Sequence, residues 1–298
     1  MKLKLFTLSI VVLLVSGCKE LSLPEIQIGN FSTKDLEKGL GIASKAYDAG
    51  KDITPEQEYY IGRSVAARIL QRYTIYDNPK INNYLNTIGK LISMNSDQPE
   101  VFGGYHFTIL DSNEINAFAT PGGFIFITRG MLKMCKNEDE LAAVLAHEIS
   151  HVQLKHGLLS IKDSRWTSVA TTLTSDVAKS YVEKKYDSQA LDTLTSAFTN
   201  SLDDVIDTLV VSGYAREYEE QADKYALKIL ISSGYSDFAM LSMLDKMDVT
   251  LEHDDRGFGA THPKASDRIA VIRDIVRFKS SDIFRSRTKR FQYFMKDV

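Results

Sequence analysis

The sequence predicts an α+β fold, mostly helical, with a small β-sheet beside one central helix. Three observations point to it. Apolar residues recur at helical spacing through much of the chain. Only Tyr105–Leu110 and Phe124–Thr128 combine β-branched and aromatic residues with flanking turn chemistry. No proline falls between Gly122 and His262, which leaves room for long uninterrupted helices. At 298 residues and 44% hydrophobic, the chain can bury a substantial core in one large domain or two unequal ones.

Taken in order, residues 1–17 read as a lipoprotein signal peptide. Lys2 and Lys4 precede the apolar run Leu5–Val15, which is too short to span a bilayer comfortably, and Val15-Ser16-Gly17-Cys18 resembles the lipobox of bacterial lipoproteins. Cys18 is then the lipidated first residue of the mature chain, anchored by several acyl chains where one would not suffice. Cleavage removes two lysines and no acids, taking the formal charge from −3 to −5, so no nucleic-acid partner is implied. Cys135 is left alone, which rules out an intramolecular disulfide in the mature chain and suits a buried packing residue.

Residues 18–31 carry no strong period and are expected to act as a tether to the main domain, 32–276. Thr54-Pro55-Glu56-Gln57 supplies an N-cap, a proline at the first helical position and a Gln at the third, opening a helix through Ile61, Val65, Ile69, Leu70 and Tyr73. Asn78-Pro79 opens the next, with Ile81, Tyr84, Leu85, Ile88, Leu91 and Ile92 at helical spacing. After the two strands and the turn Pro121-Gly122-Gly123, Asn137 and Glu140 form a capping-box pair at the start of a helix through Leu141, Val144, Leu145, Ile149 and Val152. Residues 157–212 read as a helical insertion: two helices packed on the body, or else a mobile cover. Arg216 to Asp223 opens another helix. The segment 277–298 holds seven basic residues and one acid between Arg277 and Lys296, interleaved with aromatics, and is expected to be a docked helix with a solvated face.

The chemistry concentrates in His147, Glu148 and His151. Histidines four apart on a helix differ by about 40° around its axis and can share a metal. Glu148, about 60° round from His151, stands beside the metal's open position, where a carboxylate could deprotonate a metal-bound water. Catalytic zinc usually takes a third protein ligand. His156, if the helix continues, lies about 180° from His147 and suits a helix end or a supporting contact. Glu219 and Asp223 lie four apart on one face of a later helix and are the other candidates. His106 and His253 have no motif around them and are expected to be structural.

Four motifs in order, Asn116-Ala117-Phe118-Ala-Thr-Pro-Gly-Gly123, His147-Glu-Ile-Ser-His151, Glu219-x-x-x-Asp223 and His262-Pro263 followed by Arg268, resemble the CAAX prenyl protease and HtpX superfamily of gluzincin metallopeptidases. Within it they resemble the periplasmic, BepA/LoiP-like lipoprotein branch, over about Thr54 to Ile272. The resemblance implies a zincin-like domain with one Zn2+ per chain, held by His147, His151 and Glu219, with Glu148 as general base. It implies that Asp223 holds a ligand histidine through its ring N–H. His262 would approach the zinc, to stabilise the oxyanion or to occupy the open position at rest, and Arg268 would organise the same loop. Asn116, Ala117 and Phe118 would line the cleft, where an extended substrate could add as a strand. Gln221 departs from the pattern, since many relatives have Glu there. Longer relatives carry tetratricopeptide repeats, which are not expected here.

The implied function is a zinc-dependent endopeptidase, lipid-anchored and facing the periplasm, that cleaves misfolded or stalled envelope proteins. Lys19 after Cys18 favours the outer membrane by the same resemblance. The competing expectation is a metal-stabilised, chaperone-like assembly module for outer-membrane proteins with little turnover.

Overall fold

A computed structural model describes residues 27–28, 31–32, 54–162, 206, 209, 213–251, 262, 264–277, 282–296 and 298. The signal peptide, Cys18, most of the tether, the bulk of the insertion and His253 lie outside the described residues. The chain divides into two units, 1–41 and 42–298. In the first, β1 (Gln27–Ile28) pairs antiparallel with β2 (Phe31–Ser32).

The second unit begins with α1 (Pro55–Arg72). Thr54 accepts the Glu58 amide through its carbonyl at 2.9 Å, and proline takes the first helical position as expected. Gly62 allows α1 to lie directly on the turn at Pro121, because a Cβ there would sit 1.6 Å from the Pro121 carbonyl oxygen. Helix α2 (Pro79–Met94) is capped by Asn78, whose side chain accepts from the Ile81 amide. Of its apolar stripe, Ile81, Tyr84, Leu85, Ile88 and Ile92 are buried, while Leu91, expected with them, lies on the exposed side.

The sheet has three strands, β3 (His106–Leu110), β4 (Ala117–Thr120) and β5 (Phe124–Thr128), in the order β3-β5-β4. β3 and β5 are parallel, from His106 opposite Phe124 to Leu110 opposite Thr128. β4 runs antiparallel to β5, from Ala117 opposite Ile127 to Thr120 opposite Phe124. The two expected strands are present, and β4 is an addition to them. Its connection to β5 is Pro121–Gly123, where Gly122 adopts φ 72°, a conformation that costs glycine little.

Thr128 closes β5 and caps α3 (Arg129–Met134) by accepting from the Met131 amide at 3.2 Å. The central helix is α4 (Glu138–Gln153), buried from Glu138 to Val152 on all sides. Four small residues, Ala142, Ala143, Ala146 and Ser150, let neighbours approach closely around the helix. Asn137 accepts from the Glu140 amide at 2.9 Å, but the reciprocal half of the box is displaced by one residue: Glu140 accepts from the Lys136 amide at 2.6 Å. Glu140 is drawn there by Lys246 and by the Ser242 hydroxyl, which donates to it at 2.9 Å.

After α5 (His156–Lys162) and the insertion come α6 (Arg216–Ser232), α7 (Phe238–Leu251) and α8 (Ala265–Ile272). The basic C-terminal segment forms α9 (Asp282–Met295), which docks on the start of α4. Arg290 meets Glu138, Arg287 reaches Asp139 at 2.9 Å, and Phe294 stacks on Tyr84 with centroids 4.1 Å apart. Those buried acids also lie at the positive end of the α4 dipole. Cys135 is buried and free, its thiol pushed up by burial, as a packing residue requires. Among the described residues no helix is long and apolar enough to cross a membrane.

Candidate metal centre

Helix α4 presents His147 and His151 one turn apart, and α6, packed against it, brings Glu219 to the same place. The Nε2 atoms of the two histidines lie 3.1 Å apart. Glu219 places Oε2 3.3 Å from His147 Nε2 and Oε1 3.3 Å from His151 Nε2. His262, ahead of α8, places Nδ1 2.6 Å from Glu219 Oε2. Ligand atoms of these four side chains all lie within 4.8 Å of one another, and all four residues are buried.

This donor set fits a cation. Ligands bound at about 2.0–2.1 Å to a tetrahedral zinc stand about 3.3 Å from one another, close to the 3.1–3.3 Å that separates His147, His151 and the nearer Glu219 oxygens. Three carboxylates, Glu148, Glu219 and Asp223, are buried around the two histidines, with the Arg268 guanidinium beside Asp223 and Glu219. Imidazole with carboxylate is a donor mixture suited to Zn2+.

Asp223 stands behind His147, with Oδ1 2.9 Å from its Nδ1. Arg268 grips Asp223 from the other side, donating from Nε to Oδ2 at 2.8 Å and from Nη2 to Oδ1 at 2.6 Å. Its Nη1 lies 3.5 Å from Glu219. Burial would raise the Asp223 carboxyl, but Arg268 and His147 outweigh it and hold it at about 2. Burial acts on Glu219 in the same direction, and His262, His151 and Arg268 keep it well below the usual carboxylate range. Burial lowers His151 to about 3.

Glu148 differs from every other acid here. It is fully buried, neither carboxylate oxygen has a hydrogen-bond partner among the described residues, and burial pushes it up to about 7. Leaving a buried carboxylate unpartnered is expensive. A side chain held in that state is free to bond with something that enters the site.

His156 does not sit across the helix from His147, because α4 ends at Gln153. The chain turns at Lys155, which adopts φ 55°, and His156 returns beside His151 with the two Nδ1 atoms 2.9 Å apart. The premise of a continuing helix fails, while His156 still stays out of the donor group and in a supporting contact. Its Nε2 is 3.3 Å from Gln221 Oε1. Two tyrosines complete the surroundings. Tyr214 stacks on His151 at 4.1 Å and donates its hydroxyl to the Ala119 carbonyl at 3.1 Å, and Tyr218 stacks on His156 at 4.6 Å. Neither tyrosine had any signal in the sequence beyond its nearness to Glu219.

The cleft-wall residues are placed differently from the metal group. Asn116, Ala117 and Phe118 are buried, and the Phe118 ring packs against Phe126 and Tyr73. The Asn116 carbonyl accepts from the Thr128 amide, so by strand alternation the main-chain groups of Ala117 and Ala119 face away from β5, along the sheet edge. Any strand added there would meet main chain, not these side chains. His106 stacks on Phe124 at 5.0 Å and takes no part in the donor group.

A model of Peptidase family M48 matches residues 79–276. The beta-barrel assembly-enhancing protease of Escherichia coli (strain K12) is 24% identical over 228 residues, covering 76% of this chain and 45% of the relative. Metalloprotease LoiP of the same organism is 24% identical over 197 residues, 66% of this chain and 71% of the relative. Mitochondrial metalloendopeptidase OMA1 of Schizosaccharomyces pombe is 28% identical over 186 residues, 60% of this chain and 50% of the relative. The chain spans less than half the length of the beta-barrel assembly-enhancing protease.

Proposed function

The chain belongs to peptidase family M48, and from that premise we propose that it is a zinc-dependent endopeptidase of the bacterial envelope, acting on misfolded or stalled envelope proteins. The observation that carries the reading is Glu148, buried with no hydrogen-bond partner among the described residues, beside a group of buried side chains that could hold a metal ion. A module that only bound clients would gain nothing from an acid kept in that state.

His147, His151 and Glu219 would hold the ion, with His262 placed to reach it or the reacting carbonyl. Bound zinc supplies Lewis acidity, polarising a carbonyl and lowering the pKa of a coordinated water. Glu148 takes the proton of the attacking water and returns it to the departing amine nitrogen. A protonated His262, with Nδ1–H on Glu219, would offer its Nε2–H to the oxyanion as charge develops there. Asp223 keeps His147 in one orientation, and Arg268 keeps Asp223 ionised and in place. Substrate would enter as an extended strand along the β4 edge at Ala117 and Ala119, bound through main-chain hydrogen bonds once the Tyr214 hydroxyl yields the Ala119 carbonyl, which suits a protease with unfolded clients.

Export and lipidation belong to the same reading. They are supported by the apolar run Leu5–Val15 and by Val15-Ser16-Gly17-Cys18. The name of the beta-barrel assembly-enhancing protease supports envelope proteins as the substrate class, and Lys19 after Cys18 supports the outer membrane as the location.

The test compares the wild type with Glu148→Gln for zinc content and for cleavage of an unfolded outer-membrane β-barrel protein. Equal zinc with cleavage reduced about 10²–10⁴-fold is the expected result. Wild-type protein that cleaves nothing yet keeps the same client from aggregating would replace this reading with the assembly-module one.

A further inference from the structure

The two histidines of the metal group are supported in chemically different ways. Behind His147 stands a charged pair, Asp223 with Arg268. Behind His151 stands a wholly uncharged pair, His156 with Gln221. We propose that Gln221 and His156 are positioning residues that set the tautomer of His151, so that its Nε2 lone pair faces the metal. This inference rests on the zinc reading above.

Hydrogen-bond direction can be followed inward from the rim of α6. Gln221 and Glu217 are four apart, and the Gln221 amide nitrogen lies 3.4 Å from Glu217 Oε1. An ionised carboxylate only accepts, so the amide nitrogen must be the atom facing it. That orientation turns Gln221 Oε1 toward His156, 3.3 Å from Nε2, where it accepts and requires an N–H. A neutral imidazole has one N–H, so His156 Nδ1 carries a lone pair. Among the described residues the group facing that lone pair is Nδ1 of His151 at 2.9 Å, which then donates. With its single hydrogen on Nδ1, His151 is left with a bare Nε2, the atom 3.1 Å from His147 Nε2 and 3.3 Å from Glu219. The reverse direction would set two acceptors against each other at Glu217 or at Gln221.

The ring planes are held as firmly as the protons. Tyr214 lies over His151 with 13° between the rings, and Tyr218 over His156 with 10°. Neither imidazole can turn to exchange its nitrogens without breaking a stack. His156 is fully buried, while Gln221 is at the surface and can be replaced without disturbing the core.

The experiment measures zinc affinity of the full chain by competition with a chromophoric chelator, for wild type, His156→Leu, His156→Asn, Gln221→Met and Gln221→Glu. His156→Leu removes the acceptor for His151 Nδ1–H and is expected to weaken zinc binding about 10–100-fold. His156→Asn puts a carbonyl oxygen near the lost Nδ1 and is expected to recover most of that loss. Gln221→Met keeps the size without the acceptor and weakens binding, whereas Gln221→Glu keeps an acceptor and does not. A purely structural role would make Asn no better than Leu and Glu no better than Met, and that pattern overturns the proposal. Wild-type affinity in both Leu and Met variants also overturns it while leaving the zinc reading intact. Absence of zinc binding by the wild type overturns both. Nitrogen-15 shifts of the zinc-loaded protein give the tautomers directly, with the N–H expected on Nδ1 of His151 and on Nε2 of His156.

Discussion

Arg268 and Asp223 form a two-pronged buried pair, Nε to Oδ2 at 2.8 Å and Nη2 to Oδ1 at 2.6 Å, and the same Oδ1 lies 2.9 Å from Nδ1 of His147. The guanidinium therefore acts on the metal group through one carboxylate. Arg268→Lys keeps a charge but cannot reproduce the fork. It is expected to weaken zinc binding about 10–100-fold. Arg268→Ala also strands a buried carboxylate and is expected to lower stability by about 3–5 kcal/mol. Chelator competition and urea unfolding measure the two effects separately.

Gly62 lets α1 lie directly against the turn that joins β4 to β5. A Cβ there would meet the Pro121 carbonyl oxygen at 1.6 Å, and backbone on both sides leaves no flexible group to give way. Gly62→Ala is expected to lose about 1–3 kcal/mol or more, despite the better helix propensity of alanine. Thermal unfolding reads this as a lower Tm, and an unchanged Tm would mean that α1 lies farther from the turn.

The docking of α9 on α4 should depend on pH. Burial alone raises the Glu138 carboxyl, but hydrogen bonds from Arg290 and Tyr84 outweigh it, and the folded value lies below the ordinary 4.5. A depressed folded pKa stabilises above pH 4.5 and loses that stabilisation as pH falls through the folded value. Arg290→Ala is expected to lose about 1–3 kcal/mol at neutral pH, less than a fully buried pair because half of the Arg290 side chain is exposed. The gap between wild type and variant should close as pH is lowered below 4.5 and through the depressed folded value. Urea midpoints across that range check it, and a gap independent of pH would assign the docking to packing alone.

The parts legible in the sequence are those set by neighbours in the chain. Thr54, Asn78 and Asn137 start their helices where capping chemistry places them, and β3 and β5 carry enough β-branched and aromatic residues to declare themselves. His147 and His151 share a face because helix geometry requires it. What escaped was set by distant residues. β4, Ala-Phe-Ala-Thr, is only four residues long and alternates strand formers with alanine, so its own signal is short, and it is held by pairing with β5. The return of His156 depends on a left-handed Lys155, where no glycine marks the turn. Glu140 leaves its capping-box role because Lys246 and Ser242, about a hundred residues on, supply other partners. Tyr214 and Tyr218 acquire their roles only once α6 packs on α4.

Zinc content of purified Glu219→Ala and Glu148→Gln, set beside the wild type, tests the central claim most directly. Glu219 sits within ligand distance of both histidines, while Glu148 touches none of the ligand atoms through a hydrogen bond. The account predicts one zinc per chain in the wild type and in Glu148→Gln, and almost none in Glu219→Ala after dialysis against a moderate chelator. Full zinc in Glu219→Ala, or loss of zinc in Glu148→Gln, would contradict it.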